Sequence, residues 1–185
     1  MTDDKDAALQ EIGESAAESI AEMVAALECD YDRLAELREF RADWLKDNPG
    51  SYLDPNDPRA KAGAHFALAN PDEAEELAEL QAAAGDCENR EEAEQRIQED
   101  ALSVEVRSDW YAPGGEGPEP PAEYLILLST GGPATRIIGE LDQHGEPESA
   151  RLQAQDWFTP WTDYRGDKIS EAELLTYARQ FLFSC

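Results

Sequence analysis

Positive charge is scarce in this sequence relative to negative charge. Fifteen Lys and Arg stand against 42 Asp and Glu in 185 residues, a formal net charge of −27. A surface so negative repels nucleic acid and anionic membranes, which argues against direct binding to either. It suits basic surfaces, including those that proteins use to hold DNA or RNA; acidity that serves solubility alone is the competing reading. Cysteine is scarce as well. Cys29, Cys87 and Cys185 are odd in number, widely spaced and without a CxxC pair, which fits single thiols in a reducing compartment. The two histidines, His65 and His144, have no spacing to cysteine that recommends zinc. No apolar run is long enough to cross a bilayer, and the start MTDDKDAALQ is too acidic for a secretory or organellar address. The expected location is the cytoplasm.

Catalytic signatures are missing too. The stretch STGGPATR follows a strand-like run but lacks the Lys-Ser/Thr of a phosphate loop, so it reads as a hairpin turn. Ser129 and Ser170 have neither a nucleophile elbow nor a histidine partner. Carboxylates are so plentiful that no two stand out as acid and base. The expectation is a non-enzymatic chain with no catalytic residue, no metal ligand and no cofactor.

What the chain does contain divides into two halves. Residues 1–100 hold 28 of the acids and only 9 of the Lys and Arg. Leu9, Ile12, Ala16, Ile20, Met23 and Leu27 fall on one stripe at helical spacing, with Glu11, Glu14, Glu18 and Glu22 opposite. Leu34, Leu37 and Leu45 continue the apolar phase, while Asp32, Glu36, Glu39 and Asp43 continue the acidic one. This phase predicts one long helix over residues 4–47, about 60 Å in length. Asp30, on the apolar side, is the place for a kink or a new N-cap. Such an amphipathic helix could also pair with a second copy as a homodimer. DNPGSYLDPNDP then breaks the helix, and residues 48–70 read as a loop in which RAKAGAHFALA, residues 59–69, is Ala-rich and weakly helical. Short helices are expected over 71–84, opened by Asn70 and Pro71 and closed by Gly85, and over 89–100.

From Leu102 the pattern turns to strands. LSVEVRS, AEYLILLS, ATRIIGEL and ARLQAQDW are separated by turn-rich segments, which favours a four-stranded antiparallel meander with Val104, Val106, Ile138 and Leu152 on the buried face. SEAELLTYARQFLF reads as a final helix with a Ser170–Glu173 capping box, its Leu174, Leu175, Ala178, Phe181 and Leu182 covering the sheet. The fold class is α+β, with a helical region over 1–100 and a sheet region over 101–185. Aromatics gather in SDWYAPG and QDWFTPWTDY: Trp110, Tyr111, Trp157, Phe158, Trp161 and Tyr164. They fit either a small core at one end of the sheet or a protein-contact patch. Base stacking beside Arg107, Arg136 or Arg165 is opposed by the surrounding charge.

The stretches ECDYDRLAELRE, SVEVRSDWYAPG, ILLSTGGPATRIIGELD, QDWFTPWTDY and LLTYARQFLF resemble a family of small acidic proteins encoded by phages, prophages and integrative elements of Proteobacteria. The resemblance covers most of residues 16–45 and 71–183, and residues 46–70 depart from it as an insertion. It implies action inside a host cell and brings no catalytic residue with it. Genes in that setting often encode anti-restriction or anti-CRISPR inhibitors, several of them acidic DNA mimics. The first expectation is therefore a binding protein whose acidic stripe (Glu11, Glu14, Glu18, Glu22, Asp32, Glu36, Glu39 and Asp43) occupies the basic groove of a host nucleic-acid-binding or defence protein. The second is an interaction module that binds through the aromatic group, with acidity serving solubility.

Overall fold

The computed structural model describes residues 2–48, 64–108 and 120–183. The fold is α+β. The helices α1 (Thr2–Glu28), α2 (Tyr31–Asp47), α3 (Ala64–Ala69), α4 (Pro71–Ala84) and α5 (Arg90–Asp100) precede five strands. These are β1 (Ser103–Ser108), β2 (Pro121–Ser129), β3 (Ala134–Glu140), β4 (Arg151–Gln155) and β5 (Thr162–Asp163), and α6 (Glu171–Ala178) follows.

The single helix over 4–47 is not formed. α1 stops at Glu28, and Asp30 restarts the chain as the N-cap of α2, its side chain accepting from Arg33 N at 2.9 Å. Asp is favoured there because its carboxylate satisfies an amide that has no partner in the first turn. The apolar phase survives the break, since Leu9, Ile20, Met23, Leu27, Leu34 and Leu37 are all buried.

The chain divides into two compact units, and the division does not fall at residue 100. One unit comprises Ala25–Arg90; the other comprises Met1–Val24 with Glu91–Cys185. In the first, Leu34 and Leu37 of α2 pack on Leu77 and Ala84 of α4. Phe66 of α3 meets the rings of Phe40 and Trp44. Asn70 stands at the N-cap of α4, but its side chain donates back to Phe66 O at 3.2 Å instead of capping.

In the second unit the strands run antiparallel in the order β1-β2-β3-β4-β5. The register aligns Val104, Ile126, Ile137 and Leu152 on the face that the helices cover. Ile138 therefore lies on the other face, opposite Leu125, and Ile137 takes the core place expected for it. Strand periodicity is strict, so only one of two adjacent isoleucines can face inward. α5 joins this unit because Tyr177 OH donates to Asp100 at 2.6 Å. α1 is tied to it by Gln10, which donates to Asp163 O and accepts from Arg165 N.

α6 ends at Ala178 because i→i−3 bonds from Gln180 and Phe181 tighten the chain there. Leu182 is consequently exposed, and Phe183 packs on Tyr124 in its place. The capping box at Ser170 and Glu173 is complete. Hydrogen bonds from the Ser170 hydroxyl and amide hold the Glu173 carboxyl below its ordinary pKa. A group depressed in this way stabilises the fold above its ordinary pKa, and that contribution disappears as pH falls through the lowered value. Ser170→Ala is expected to cost about 1 kcal/mol at neutral pH. Chemical denaturation of both proteins should show the gap narrowing below about pH 4.

Candidate protein-contact site

Of the six aromatic residues, the four that the structure describes do not share one environment. Trp110 and Tyr111 lie outside the described residues. Tyr164 belongs to the interior joint with α1. A Cβ at Gly13 would stand 2.7 Å from its ring, and one at Gly166 would strike its hydroxyl. A glycine inside a helix costs about 1 kcal/mol against alanine. Here it lets α1 lie directly on the tyrosine.

Trp161 is half-buried, and the Arg136 guanidinium sits 4.1 Å from its ring centre. Arg136 also donates twice to Gln153 Oε1, at 2.9 and 2.8 Å, and Gln153 Nε2 donates to Asp163 at 2.7 Å. Burial lowers the Arg136 pKa, yet an arginine remains charged at neutral pH. Among the described residues no carboxylate pairs with it directly. Gln153 relays it to Asp163 instead.

Trp157 and Phe158 point outward. Phe158 is 99 % exposed and Trp157 is 64 % exposed. Phe158 has φ of +62°, the only positive value for a non-glycine among the described residues. The turn that imposes this conformation is closed on every side. Asp156 N donates to Thr159 Oγ1 at 3.0 Å, Thr159 N and Oγ1 donate to Asp156 O, and Gln155 Nε2 donates to Thr159 O at 2.7 Å. Trp157 Nε1 anchors the turn to the β2–β3 hairpin by donating to Gly132 O at 3.2 Å. Gly132 has φ of +69°, and a Cβ there would come within 2.8 Å of the Trp157 ring. The STGGP segment is thus the expected hairpin turn, and its second glycine makes room for an aromatic ring. Between the two turns lies a cleft of about 330 Å³ lined by Leu127, Trp157, Phe158 and Trp161.

The eight acids of the expected stripe fall four in each unit. Glu11, Glu18, Glu22, Asp32, Glu36, Glu39 and Asp43 are exposed, and Glu14 is half-buried. Several have cationic partners. Lys168 bridges Glu14 at 3.5 Å and Glu18 at 2.9 Å, and these acids raise its pKa. Arg33 bridges Glu36 to Glu76, and Lys46 pairs with Asp43 at 2.6 Å. Exposed pairs of this kind contribute little to stability, and most of the acidic surface stays open to solvent.

His65 is packed against Trp44 with Nε2 at 3.0 Å from Asn48 O, and His144 lies in an exposed turn beside Gln143. Among the described residues no group of three His, Cys, Asp or Glu could hold a metal ion, and no helix is long and apolar enough to cross a membrane. Phe158, one of the aromatics grouped from the sequence, is the most exposed ring among the described residues, which the grouping did not show. The readable signal was Asp156 and Thr159 flanking two aromatics, a spacing that favours a side-chain-closed turn. Comparison with family models, curated proteins and solved structures gives no match.

Proposed function

We propose that this chain is a non-enzymatic binding protein that engages a partner protein through the aromatic turn at one end of its sheet. The observation that carries this reading is Phe158, an aromatic ring almost wholly in water on a left-handed residue. Positive φ on a non-glycine residue costs about 1–3 kcal/mol and persists only where the surroundings enforce it. The hydrogen bonds around Asp156 and Thr159 enforce it, and the ring gains no burial within the chain in return. Strain with no internal benefit is accounted for when the ring is buried against something else. Trp157 beside it, at 6.2 Å between ring centres, enlarges the anchor. Trp and Arg dominate binding energy at protein interfaces, and the Arg136–Trp161 stack supplies one of each. The partner pocket is apolar at its centre, and with 42 acids on this chain its rim is basic.

A second reading is supported by the exposure of Glu11, Glu18, Glu22, Asp32, Glu36, Glu39 and Asp43. In it, the acidic rows occupy the nucleic-acid groove of a host defence protein, as the resemblance to mobile-element proteins implies. One experiment separates the two. The chain, its Phe158→Gly variant and a variant with Glu18, Glu22, Glu36 and Glu39 changed to Lys are immobilised and exposed to bacterial lysate at low and high salt. Retention of one protein by the parent chain and its loss with Phe158→Gly supports the aromatic site. Retention untouched by Phe158→Gly but lost on charge reversal and at high salt overturns that site in favour of mimicry. Retention insensitive to both changes overturns both readings.

A further inference from the structure

The sheet has two edges, and among the described residues the one far from the aromatic turn is unpaired. β1 pairs with β2 on one side, and among the described residues no strand pairs with its other side. Unpaired strand edges invite further strands, and monomeric proteins protect them with proline, lysine, brevity or a bulge. SVEVRS carries neither proline nor lysine. Its one irregularity, between Arg107 and Ser108, leaves Ser103–Arg107 in regular register. Val104 and Val106 lie on the helix-covered face, aligned with Ile126 and Tyr124, yet they are 38 % and 37 % exposed. The apolar layer runs out to the edge and is left uncovered there.

The residues on this edge are complementary to themselves. In an antiparallel pairing with Val106 opposite its own copy, Glu105 of each chain stands opposite Arg107 of the other. Both charged residues share the open face of the sheet and both valines share the covered one, as strand alternation requires. A shift that centres the pairing on Glu105 would oppose two like charges. The surrounding charge also permits the contact. In a chain of net charge −27, copies repel one another over most of their surface. On this face, however, Arg107, Arg136 and Arg151 stand among Glu105, Glu123 and Glu140 around a depression of about 360 Å³. Arg107 already pairs with Glu123 of its own chain, and Glu105 of a second copy would complete a carboxylate–guanidinium–carboxylate row across the seam.

We infer that two copies of this chain associate edge to edge through β1 across a two-fold axis centred on Val106, making one continuous sheet of ten strands. The interface is isologous, so each copy contributes Glu105 and Arg107 once and receives each once. It leaves the aromatic turn free, because β5 and β1 are opposite edges of the sheet.

Solution mass by light scattering and sedimentation tests this with Glu105→Arg, Arg107→Glu, their equimolar mixture and the double exchange. The parent chain is expected at twice its 20.5 kDa mass. Each single variant opposes like charges at two places and is expected to raise the dimer dissociation constant about 10-fold or more. The mixture places Arg opposite Glu at both positions and is expected to restore association as a heterodimer, and the double exchange as a homodimer. Circular dichroism melts confirm that each variant is folded. A parent chain that stays monomeric, a dimer that neither single variant weakens, or a mixture that fails to recover it overturns the inference. None of these outcomes bears on the aromatic site, which Phe158→Gly tests separately.

Discussion

Phe158→Gly is expected to leave the protein as stable as the parent or more so, while abolishing partner binding. The ring is 99 % exposed, so its removal forfeits almost no burial within the chain. The backbone at φ +62° strains any L-residue and suits glycine. Glycine also gains freedom in the unfolded chain, which offsets part of the relief. The net change in unfolding free energy is expected between zero and a gain of about 1 kcal/mol, read from denaturant midpoints. Binding should respond in the opposite direction. An aromatic anchor at the centre of an interface is worth about 2–4 kcal/mol, a weakening of roughly 30- to 1,000-fold. Titration calorimetry with the captured partner measures it. A variant that loses more than about 1 kcal/mol of stability and keeps its affinity would show that the ring supports the fold instead.

The largest loss of stability is expected from Gly139→Ala. Gly139 lies in β3 on the helix-covered face, and an added Cβ would stand 1.8 Å from Ser149 O and 2.7 Å from the ring of Tyr124. Neither neighbour can yield easily. Tyr124 donates its hydroxyl to Ser149 O at 2.8 Å, Glu140 N donates to Ser149 Oγ at 3.0 Å, and Glu148 N donates to Glu140 O at 2.9 Å. Burial keeps the Tyr124 hydroxyl protonated far above neutral pH, so this brace persists across the ordinary range. Overpacking of a core typically costs about 1–3 kcal/mol, and a clash with backbone falls at or beyond the upper end. A loss of at least about 3 kcal/mol is expected, a fall in melting temperature of roughly 6–12 °C. A fall below about 2 °C would mean that the β3–β4 connection shifts freely, contrary to its hydrogen bonds.

The particular elements show why some features could be read from the chain and others could not. The four longer strands, α4, the α6 capping box and the hairpin at STGGP were legible because each depends on neighbours a few residues apart. The break at Asp30 was visible as an alternative, but helical phase alone could not decide it. A capped restart preserves the same phase, so only the structure shows Asp30 capping α2. Ile137 and Ile138 could not be ranked either, since only the pairing with β2 says which of two adjacent residues turns inward.

For the candidate site, the sequence grouped Trp110, Tyr111, Trp157, Phe158, Trp161 and Tyr164 from two stretches and left core and contact patch both open, and the last four lie among the described residues. Tertiary structure divided them, with Tyr164 into the joint beneath α1, Trp161 under Arg136, and Trp157 and Phe158 into solvent. The sequence by itself determined the α+β class, the acidic character and the type of most elements, because composition and periodicity are local properties of the chain. Only the tertiary structure decided, among the described residues, which aromatic rings are most exposed, which sheet edge is unpaired and where the compact units divide. Exposure and pairing depend on residues distant in sequence, as when Gly132 makes room for Trp157 or Gly13 for Tyr164.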